Sequence, residues 1–171
     1  MNDVERVPSS SIEDWSREMP WQFWDPGRKL LKSIRTYQRL QQSTTPWSFL
    51  VRKLCALRRR FWSVVSGAEI PLSTRISGGL LITHPNGIVI HPEAEVGPNC
   101  LIFQQVTIGG PLKGDGVPRL GGNVMVGAGA KLLGNIIIGD NARIGANAVV
   151  LVSVPEGVTA AGIPARPIVK I

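Results

Sequence analysis

Cysteine and histidine are scarce in this sequence, with two of each among 171 residues. Cys55 and Cys100 form no metal-binding spacing, so we expect two free thiols in a reducing compartment and no metal site. Long apolar runs are also missing. None approaches the ~20 residues that a transmembrane helix needs, and we find no signal-peptide core near the N-terminus. These absences predict a cytoplasmic protein.

Aromatic residues are scarce in the second part of the chain. All five tryptophans and the one tyrosine precede residue 67, and only Phe103 follows it. The charge divides in the same way: residues 1–66 carry 12 Lys and Arg against 6 Asp and Glu, whereas residues 67–171 carry 7 against 6. We therefore predict an N-terminal helical, basic region over 1–66 and a second domain over 67–171.

The second domain carries a six-residue period. Aliphatic side chains recur every six positions, with one shift of two residues after Ile88, and glycine often follows them. Small or β-branched residues occupy the position four residues further on. The aliphatic positions are Ile70, Ile76, Ile82, Ile88, Ile90, Val96, Ile102, Ile108, Leu120, Val126, Leu132, Ile138, Ile144 and Val150.

This period does not suit the common secondary structures, because helices repeat every three or four residues and hairpin strands alternate. A short strand and a tight corner, repeated three times per turn, do match it. The aliphatic residues would then fill a triangular prism, with glycine and asparagine at its corners. The sequence therefore predicts a mainly β fold, a parallel β-helix, preceded by a short α-helical region.

The period is interrupted once, between Ile108 and Leu120. The residues between them are polar and rich in glycine and proline, and the period resumes in phase after twelve residues. We predict a loop extruded from one corner over residues 109–119. Loops on rigid scaffolds often carry function, and the alternative is a tolerated surface insertion.

Two helices are predicted in the N-terminal region. The first covers residues 27–42. The second begins with Thr45 as its N-cap and Pro46 as its first residue, and it ends at about Val65. We expect residues 1–12 to be disordered.

The predicted helices are strongly basic, with ten Lys and Arg and no acidic residue from position 28 to 60. One face of the second helix is apolar and consists of Phe49, Leu50, Leu54, Leu57 and Phe61. We expect that face to pack against the chain's own β-helix and in trimer contacts. The alternative is peripheral contact of residues 46–65 with an anionic membrane. Nucleic acid is not an expected partner, because no recognised reading module accompanies the charge.

His84 and His91 are the candidate bases. Acyl transfer to an alcohol needs a group that removes the hydroxyl proton, and imidazole suits this task near neutral pH. No nucleophile-elbow serine and no activated cysteine is present, which favours direct transfer over a covalent acyl-enzyme. Both histidines fall at predicted corners, and the pattern alone leaves a structural role open for each.

Four ordered motifs between Glu69 and Lys170 resemble those of the serine O-acetyltransferase branch of the hexapeptide-repeat acyltransferases. They are His84-Pro-Asn-Gly-Ile-Val-Ile, Gln104-Gln-Val-Thr-Ile-Gly-Gly110, Gly127-Ala-Gly-Ala-Lys-Leu-Leu-Gly-Asn135 and Thr159-Ala-Ala-Gly-Ile-Pro-Ala-Arg166. The resemblance implies a left-handed parallel β-helix of hexapeptide repeats. It also implies a homotrimer with active sites between neighbouring prisms, and acetyl-CoA as co-substrate.

The resemblance also implies residue roles. His84 takes the general-base position, and Glu69 takes the place of the acidic residue, Asp in the family, that orients the base. Small corner residues would lie against the coenzyme arm, namely Gly109, Gly110, Ala128 and Ala146. The acceptor side would carry Thr83, Arg119 and His91.

The acceptor side departs from the family pattern. Serine-specific members carry Asp before the catalytic histidine and an Arg-His pair late in the loop, whereas this chain has Thr83 and Gly116-Val117. Arg119 could replace part of the lost charge, but serine would lack charge partners. In this the chain is similar to short-form polysaccharide O-acetyltransferases of the colanic-acid type, which also lack the full set of serine-binding groups. That resemblance implies an acetyl-CoA-dependent O-acetyltransferase acting on a sugar of a surface-polysaccharide precursor, either a small molecule or lipid-linked. The alternatives are serine O-acetylation in cysteine biosynthesis and a non-catalytic trimeric scaffold.

Overall fold

Two helices precede the β-coil in the computed structural model, which describes residues 8–20, 22–110 and 115–168. Helix α1 spans Pro26–Leu40 and α2 spans Pro46–Ser66. The Thr45 hydroxyl accepts a 3.3 Å hydrogen bond from the backbone N–H of Ser48, as a helix N-cap does. Gly67 ends α2 at a φ of 68°, which a side chain would disfavour. The two predicted helices and the Thr45 cap are confirmed.

Within the described residues, thirteen short strands follow the helices. They are β1 (Arg75–Ile76), β2 (Val89–Ile90), β3 (Glu95–Val96), β4 (Leu101–Ile102), β5 (Thr107–Gly109), β6 (Arg119–Leu120), β7 (Met125–Val126), β8 (Lys131–Leu133), β9 (Ile137–Ile138), β10 (Arg143–Ile144), β11 (Val149–Val150), β12 (Thr159–Gly162) and β13 (Ala165–Pro167).

These strands stack into three sheets that the chain visits in turn. Sheet 1 contains β2, β5, β8 and β11; sheet 2 contains β1, β3, β6 and β9; sheet 3 contains β4, β7, β10, β12 and β13. All pairings are parallel except the terminal β12–β13 pair. The chain is therefore wound as a parallel coil with three strands per turn, in agreement with the predicted β-helix.

The predicted aliphatic period fills the interior of the coil. Its fourteen residues, from Ile70 to Val150, each expose at most 8% of their surface. The small and β-branched set, which includes Cys100 and Ala130, is buried as well. A buried aliphatic side chain contributes about 1.5–3 kcal/mol relative to an exposed one, so these ladders are a main source of the coil's stability.

Three columns of corners join the sheets. The histidine corner, between sheets 3 and 1, comprises residues 83–88, 103–106, 127–130 and 145–148. The loop corner, between sheets 1 and 2, comprises 91–94, 110, 115–118 and 134–136 of the described residues. The asparagine corner, between sheets 2 and 3, comprises 77–80, 97–100, 121–124 and 139–142. At this last corner Asn99, Asn123 and Asn141 adopt φ values of 53–60°, as predicted for corner residues.

The N-terminal segment closes the asparagine corner. The Asn99 side-chain amide donates hydrogen bonds of 2.7 and 2.6 Å to the carbonyls of Ser9 and Ile12. A short 3₁₀ helix follows at Trp15–Glu18. The predicted disorder is therefore wrong for residues 8–12, because backbone groups there meet a polar corner side chain. Residues 1–7 lie outside the described part of the chain.

Helix α1 covers the open end of the first turn of the coil. Leu30, Leu31 and Ile34 expose 0–1% of their surface and belong to the same core cluster as the coil interior. Arg35 donates to the backbone carbonyls of Ile76 and Ser77. The Arg35 side chain of α1 thus provides donors for backbone carbonyls at the end of the coil, where no further strand can pair with them.

Helix α2 is turned the other way from our expectation. The predicted apolar face is exposed, with exposed fractions of 56% at Leu54, 66% at Leu57 and 56% at Phe61. Cys55 and Trp62, on the opposite side, are buried instead. The expectation that this face packs on the chain's own β-helix is therefore wrong. No helix within the described residues is long and apolar enough to cross a membrane.

Candidate active site

The histidine corner is two residues longer in the first turn than in the second. Leu81 pairs with Leu101, and Ile90 pairs with Ile108. Seven residues therefore lie between Ile82 and Ile90, whereas five lie between the corresponding residues of the next turn, Ile102 and Ile108. Ile88 lies beside Val106 rather than in a strand. The shift of two residues therefore falls at the corner that contains His84, before Ile88 and not after it.

The longer corner projects its side chains outward. Thr83 and His84 form a bend and are both exposed, and Gly87 completes the following turn at a φ of 72°. The backbone N–H of Ile88 donates to the carbonyl of Pro85 at 3.2 Å, which fixes that turn. The imidazole of His84 is therefore presented to solvent from the bend that precedes this turn.

Small residues continue the same corner in the later turns. Gly129 donates from its backbone N–H to Gln104 at 2.9 Å, and Asn147 donates to Ala128 at 2.8 Å. Ala128 and Ala146 thus lie in one column with Gln104, along the corner that begins at His84. Three of the predicted site residues, His84, Ala128 and Ala146, are brought together here.

Glu69 lies at the edge of sheet 1, one rung before β2. Its backbone N–H donates to Ile88 at 2.7 Å, and its carbonyl accepts from Ile90 at 3.0 Å. Its side chain is exposed, and within the described residues no hydrogen bond joins it to His84. The proposed orientation of His84 by Glu69 stays a prediction.

His91 begins the loop corner, beside the end of β5. Its Nδ1 accepts a 3.2 Å hydrogen bond from the backbone N–H of Glu93. A neutral ring with Nδ1 as acceptor carries its proton on Nε2, so that atom is a donor in this arrangement. Gly109 and Gly110 lie at the same corner, where the extruded loop leaves the coil. His91 therefore lies with the two glycines and apart from His84.

Arg119 lies on the outer face of sheet 2, at the far end of the loop. Its Nε is 4.0 Å from Glu95, which also accepts a 2.7 Å hydrogen bond from Arg75. These three side chains line a cleft of about 660 Å³ together with Gly116 and Val117 of the loop. Residues 111–114 of the predicted loop 109–119 lie outside the described part of the chain. Sequence reasoning missed Glu95, since no motif marks it.

A further feature that sequence reasoning missed is Gln104. Its side-chain oxygen is shielded from solvent and has no hydrogen-bond partner in the part of the chain that the structure describes. A buried acceptor without a donor costs about 1–3 kcal/mol. The neighbouring Gln105 adopts a φ of 59°, which is uncommon for a residue other than glycine or asparagine. This corner is therefore incompletely satisfied in the single chain.

Neither cysteine is arranged as a nucleophile. Burial raises the pKa of the Cys100 thiol to about 12, and burial also raises the pKa of Cys55. Reactive thiolates instead have lowered pKa values in electropositive, partly exposed surroundings. Among the described residues no group of three His, Cys, Asp or Glu side chains could hold a metal ion.

The chain matches the family model described as bacterial transferase hexapeptide (six repeats) over residues 118–151. It is 45% identical to serine acetyltransferase of Synechococcus elongatus over 147 residues, which cover 85% of this chain and 58% of that protein. It is 46% identical to serine acetyltransferase of Helicobacter pylori over 124 residues, which cover 71% of this chain and 70% of that protein.

A solved serine acetyltransferase in complex with CoA has a similar fold, with a TM-score of 0.70 and 36% sequence identity. The superposition covers 85% of this chain and 57% of that chain. The chain thus spans a little over half the length of two of these three proteins and about two thirds of the third. On the identity and coverage of the Helicobacter protein, this chain belongs to the serine acetyltransferase family of hexapeptide-repeat acyltransferases.

Proposed function

We propose that this chain transfers the acetyl group of acetyl-CoA to the hydroxyl of L-serine, as a homotrimer of left-handed β-helices. The relatives are named for serine acetylation, and one solved relative holds CoA. The observation that carries the proposal is the placement of His84, an exposed imidazole on a lengthened corner at the head of a column of small residues. In this proposal residues 67–171 form the catalytic domain, and residues 1–66 form a basic helical region.

His84 supplies the proton chemistry. Its neutral imidazole accepts the proton of the acceptor hydroxyl while that oxygen attacks the thioester carbonyl carbon. The carbon–sulfur bond then breaks, and the imidazolium returns the proton to the departing sulfur. No cysteine is needed, in keeping with the raised thiol pKa values of Cys55 and Cys100. Glu69 would act as a positioning residue that favours the imidazolium, once its side chain turns towards the ring.

The trimer would unite two groups of residues that a single chain keeps apart. His84, Ala128 and Ala146 lie at the histidine corner, whereas His91, Gly109 and Gly110 lie at the loop corner. The N-terminal segment covers the asparagine corner and not the other two, as far as the described residues show. A threefold arrangement can place the histidine corner of one chain against the loop corner of the next. A neighbouring chain or bound coenzyme could also supply the donor that Gln104 lacks.

The coenzyme arm would lie against the glycine and alanine corners. Among the described residues, a Cβ added at Gly109 or Gly110 would have no neighbour closer than 3.7 Å, and neither glycine has a positive φ. The described part of the fold therefore does not require glycine at these positions. Close approach of an amide-rich ligand to the backbone would explain their use.

The acceptor pocket would draw on Arg119. Serine has a carboxylate, and a guanidinium can bind a carboxylate through two parallel hydrogen bonds. Arg119 lies in the cleft beside the loop, with its register partner Glu95 next to it on the same sheet. Thr83 and Gly116-Val117 offer no charged group, which is the observation that favours a sugar hydroxyl as the second candidate acceptor. The names of the relatives favour serine over that sugar.

Purified protein should be incubated with acetyl-CoA and either L-serine or a panel of free and nucleotide-linked sugars. Release of free CoA would be followed by its thiol, and the acetylated product would be identified by mass spectrometry. Acetylserine formed well above the hydrolysis background is the expected result. Turnover on a sugar but not on serine would overturn the acceptor, and turnover on no acceptor would overturn the enzymatic assignment.

A further inference from the structure

An apolar stripe runs along the outer side of α2. Its apolar side chains recur every three or four residues over ~25 Å of helix. Its members expose between 56% and 80% of their surface. The α2 stripe consists of Trp47, Leu50, Leu54, Leu57, Phe61 and Val64.

The opposite side of α2 faces the rest of the chain and is partly polar. Ser48, Cys55, Trp62 and Ser66 are all buried. The Ser63 hydroxyl donates to the carbonyl of Ala68. A surface helix ordinarily buries its apolar face and exposes its polar face. Here the long aliphatic side chains point outward, so the stripe is available to a partner outside the chain.

More apolar surface adjoins the stripe at its C-terminal half. The ring of Trp24, 60% exposed, meets the edge of Trp62 at 5.8 Å between centroids, and Trp62 in turn contacts Phe61 at 5.0 Å. Phe23 is 88% exposed beside Lys29, whose ammonium lies 4.7 Å from the ring centroid. Contiguous exposed patches of this kind are unusual on monomeric proteins and mark interaction sites.

The charges around the stripe are all of one sign. At 100° per residue Arg58 flanks one side of the stripe, and Lys53 and Arg60 flank the other; all three are exposed. No acidic residue occurs between Arg28 and Arg60. Two copies of this surface facing each other would bring these cations together without counter-charges. An anionic surface would instead pair with them.

We propose that α2 lies flat on an anionic membrane surface. The α2 stripe enters the boundary between headgroups and acyl chains, and Arg58, Lys53 and Arg60 contact lipid phosphates. An interfacial helix has this combination of an apolar side, flanking basic residues and aromatic side chains. The attraction of the cations is screened by salt, so binding weakens as ionic strength rises.

The test is co-sedimentation of the full chain with vesicles of phosphatidylcholine, with and without phosphatidylglycerol. We expect at least tenfold stronger binding to the anionic vesicles, and a loss of at least tenfold in Leu57→Glu. The matched control is Ile137→Glu, because Ile137 is similarly exposed at 58% but lies on sheet 2. This variant makes the same change in charge and should bind like the wild type.

The alternative partner of the α2 stripe is a second copy of the chain. Light scattering of each variant without lipid tests this alternative. The molar mass of Leu57→Glu should equal that of the wild type. A smaller mass for Leu57→Glu would make the stripe a contact between chains and overturn the proposal. Equal sedimentation with both vesicle types, or equal losses in the two glutamate variants, would also overturn it. These readouts do not involve catalysis.

Discussion

The guanidinium of Arg119 lies 4.0 Å from the carboxylate of Glu95, its register partner on the neighbouring strand, and both side chains line the cleft beside the loop. Glu95 also accepts a hydrogen bond from Arg75, so one carboxylate is shared by two arginines. Arg119 is 63% exposed at its side chain and retains donors that Glu95 does not use. Together with Arg75, it is a cation that the described part of this cleft offers to an acceptor.

Replacing Arg119 with alanine should weaken acceptor binding. Loss of a charged hydrogen-bonding partner for a carboxylate should raise the KM for L-serine roughly 10–100-fold, with the KM for acetyl-CoA little changed. The matched control is Arg143→Ala, since Arg143 is an exposed strand arginine on sheet 3. Equal kinetic constants in the two variants would remove Arg119 from the acceptor pocket.

Gly109→Ala should separate coenzyme binding from folding. The added Cβ would have no neighbour closer than 3.7 Å in the part of the chain that the structure describes, so thermal unfolding should be unchanged. The methyl group would stand where the coenzyme arm approaches the backbone, and the KM for acetyl-CoA should rise about tenfold. Gly97→Ala is the contrasting variant, because its Cβ would lie 2.4 Å from the backbone of Gly121 and the fold itself should suffer. An unaltered KM in a stable Gly109→Ala protein would argue against this coenzyme path.

The ion pair of Glu18 and Arg35 should stabilise the N-terminal region on the coil. Its two hydrogen bonds measure 2.7 and 3.0 Å, and the Glu18 side chain is only 7% exposed. Glu18 also accepts a 3.0 Å hydrogen bond from the backbone of Leu80. Glu18→Ala would remove the counter-charge of a partly buried guanidinium and should lower the free energy of unfolding by ~3 kcal/mol in denaturant titrations. Glu95→Ala, which breaks the exposed pair with Arg75, should cost less than ~1 kcal/mol.

Cys100 should make the fold sensitive to alkaline pH. Burial raises the pKa of its thiol from the ordinary 9.0 to about 12. The folded state therefore holds this proton more tightly than the unfolded state. The associated stability is complete below about pH 9 and is lost as the pH rises from there towards 12. Free energies of unfolding measured from about pH 8 to about pH 11 should fall more steeply for the wild type than for Cys100→Ala, and parallel curves would contradict this.

Much of the coil could be read from the sequence because its determinants are local and repeated. Each aliphatic residue of the period is buried, and the corner asparagines carry the positive φ values that the pattern predicts. The sequence also predicts the shift of two residues in the aliphatic period, but it does not show at which corner the extra residues lie. Ile88 fits either phase of the period, and only the pairing of Ile90 with Ile108 shows that the extra residues belong to the corner of His84.

The features that escaped prediction depend on contacts between distant parts of the chain. Asn99 donates hydrogen bonds to the backbone carbonyls of Ser9 and Ile12, which lie about 90 residues earlier in the chain, and no local sequence pattern predicts that contact. The outward turn of α2 likewise follows from tertiary packing, since its sequence contains apolar residues on both sides. The candidate site shares this limit: motifs identify His84 and Gly109, but the separation of their corners emerges only from the fold.

The central claim is that His84 is the base in acetyl transfer. The direct measurement is the turnover of His84→Ala with acetyl-CoA and L-serine, alongside coenzyme affinity by calorimetry and with His91→Ala as the comparison. We predict a fall in turnover of about 10²–10⁴-fold, the usual contribution of general-base catalysis, with coenzyme affinity preserved and a smaller effect for His91→Ala. Turnover of folded His84→Ala equal to that of the wild type would contradict the assignment.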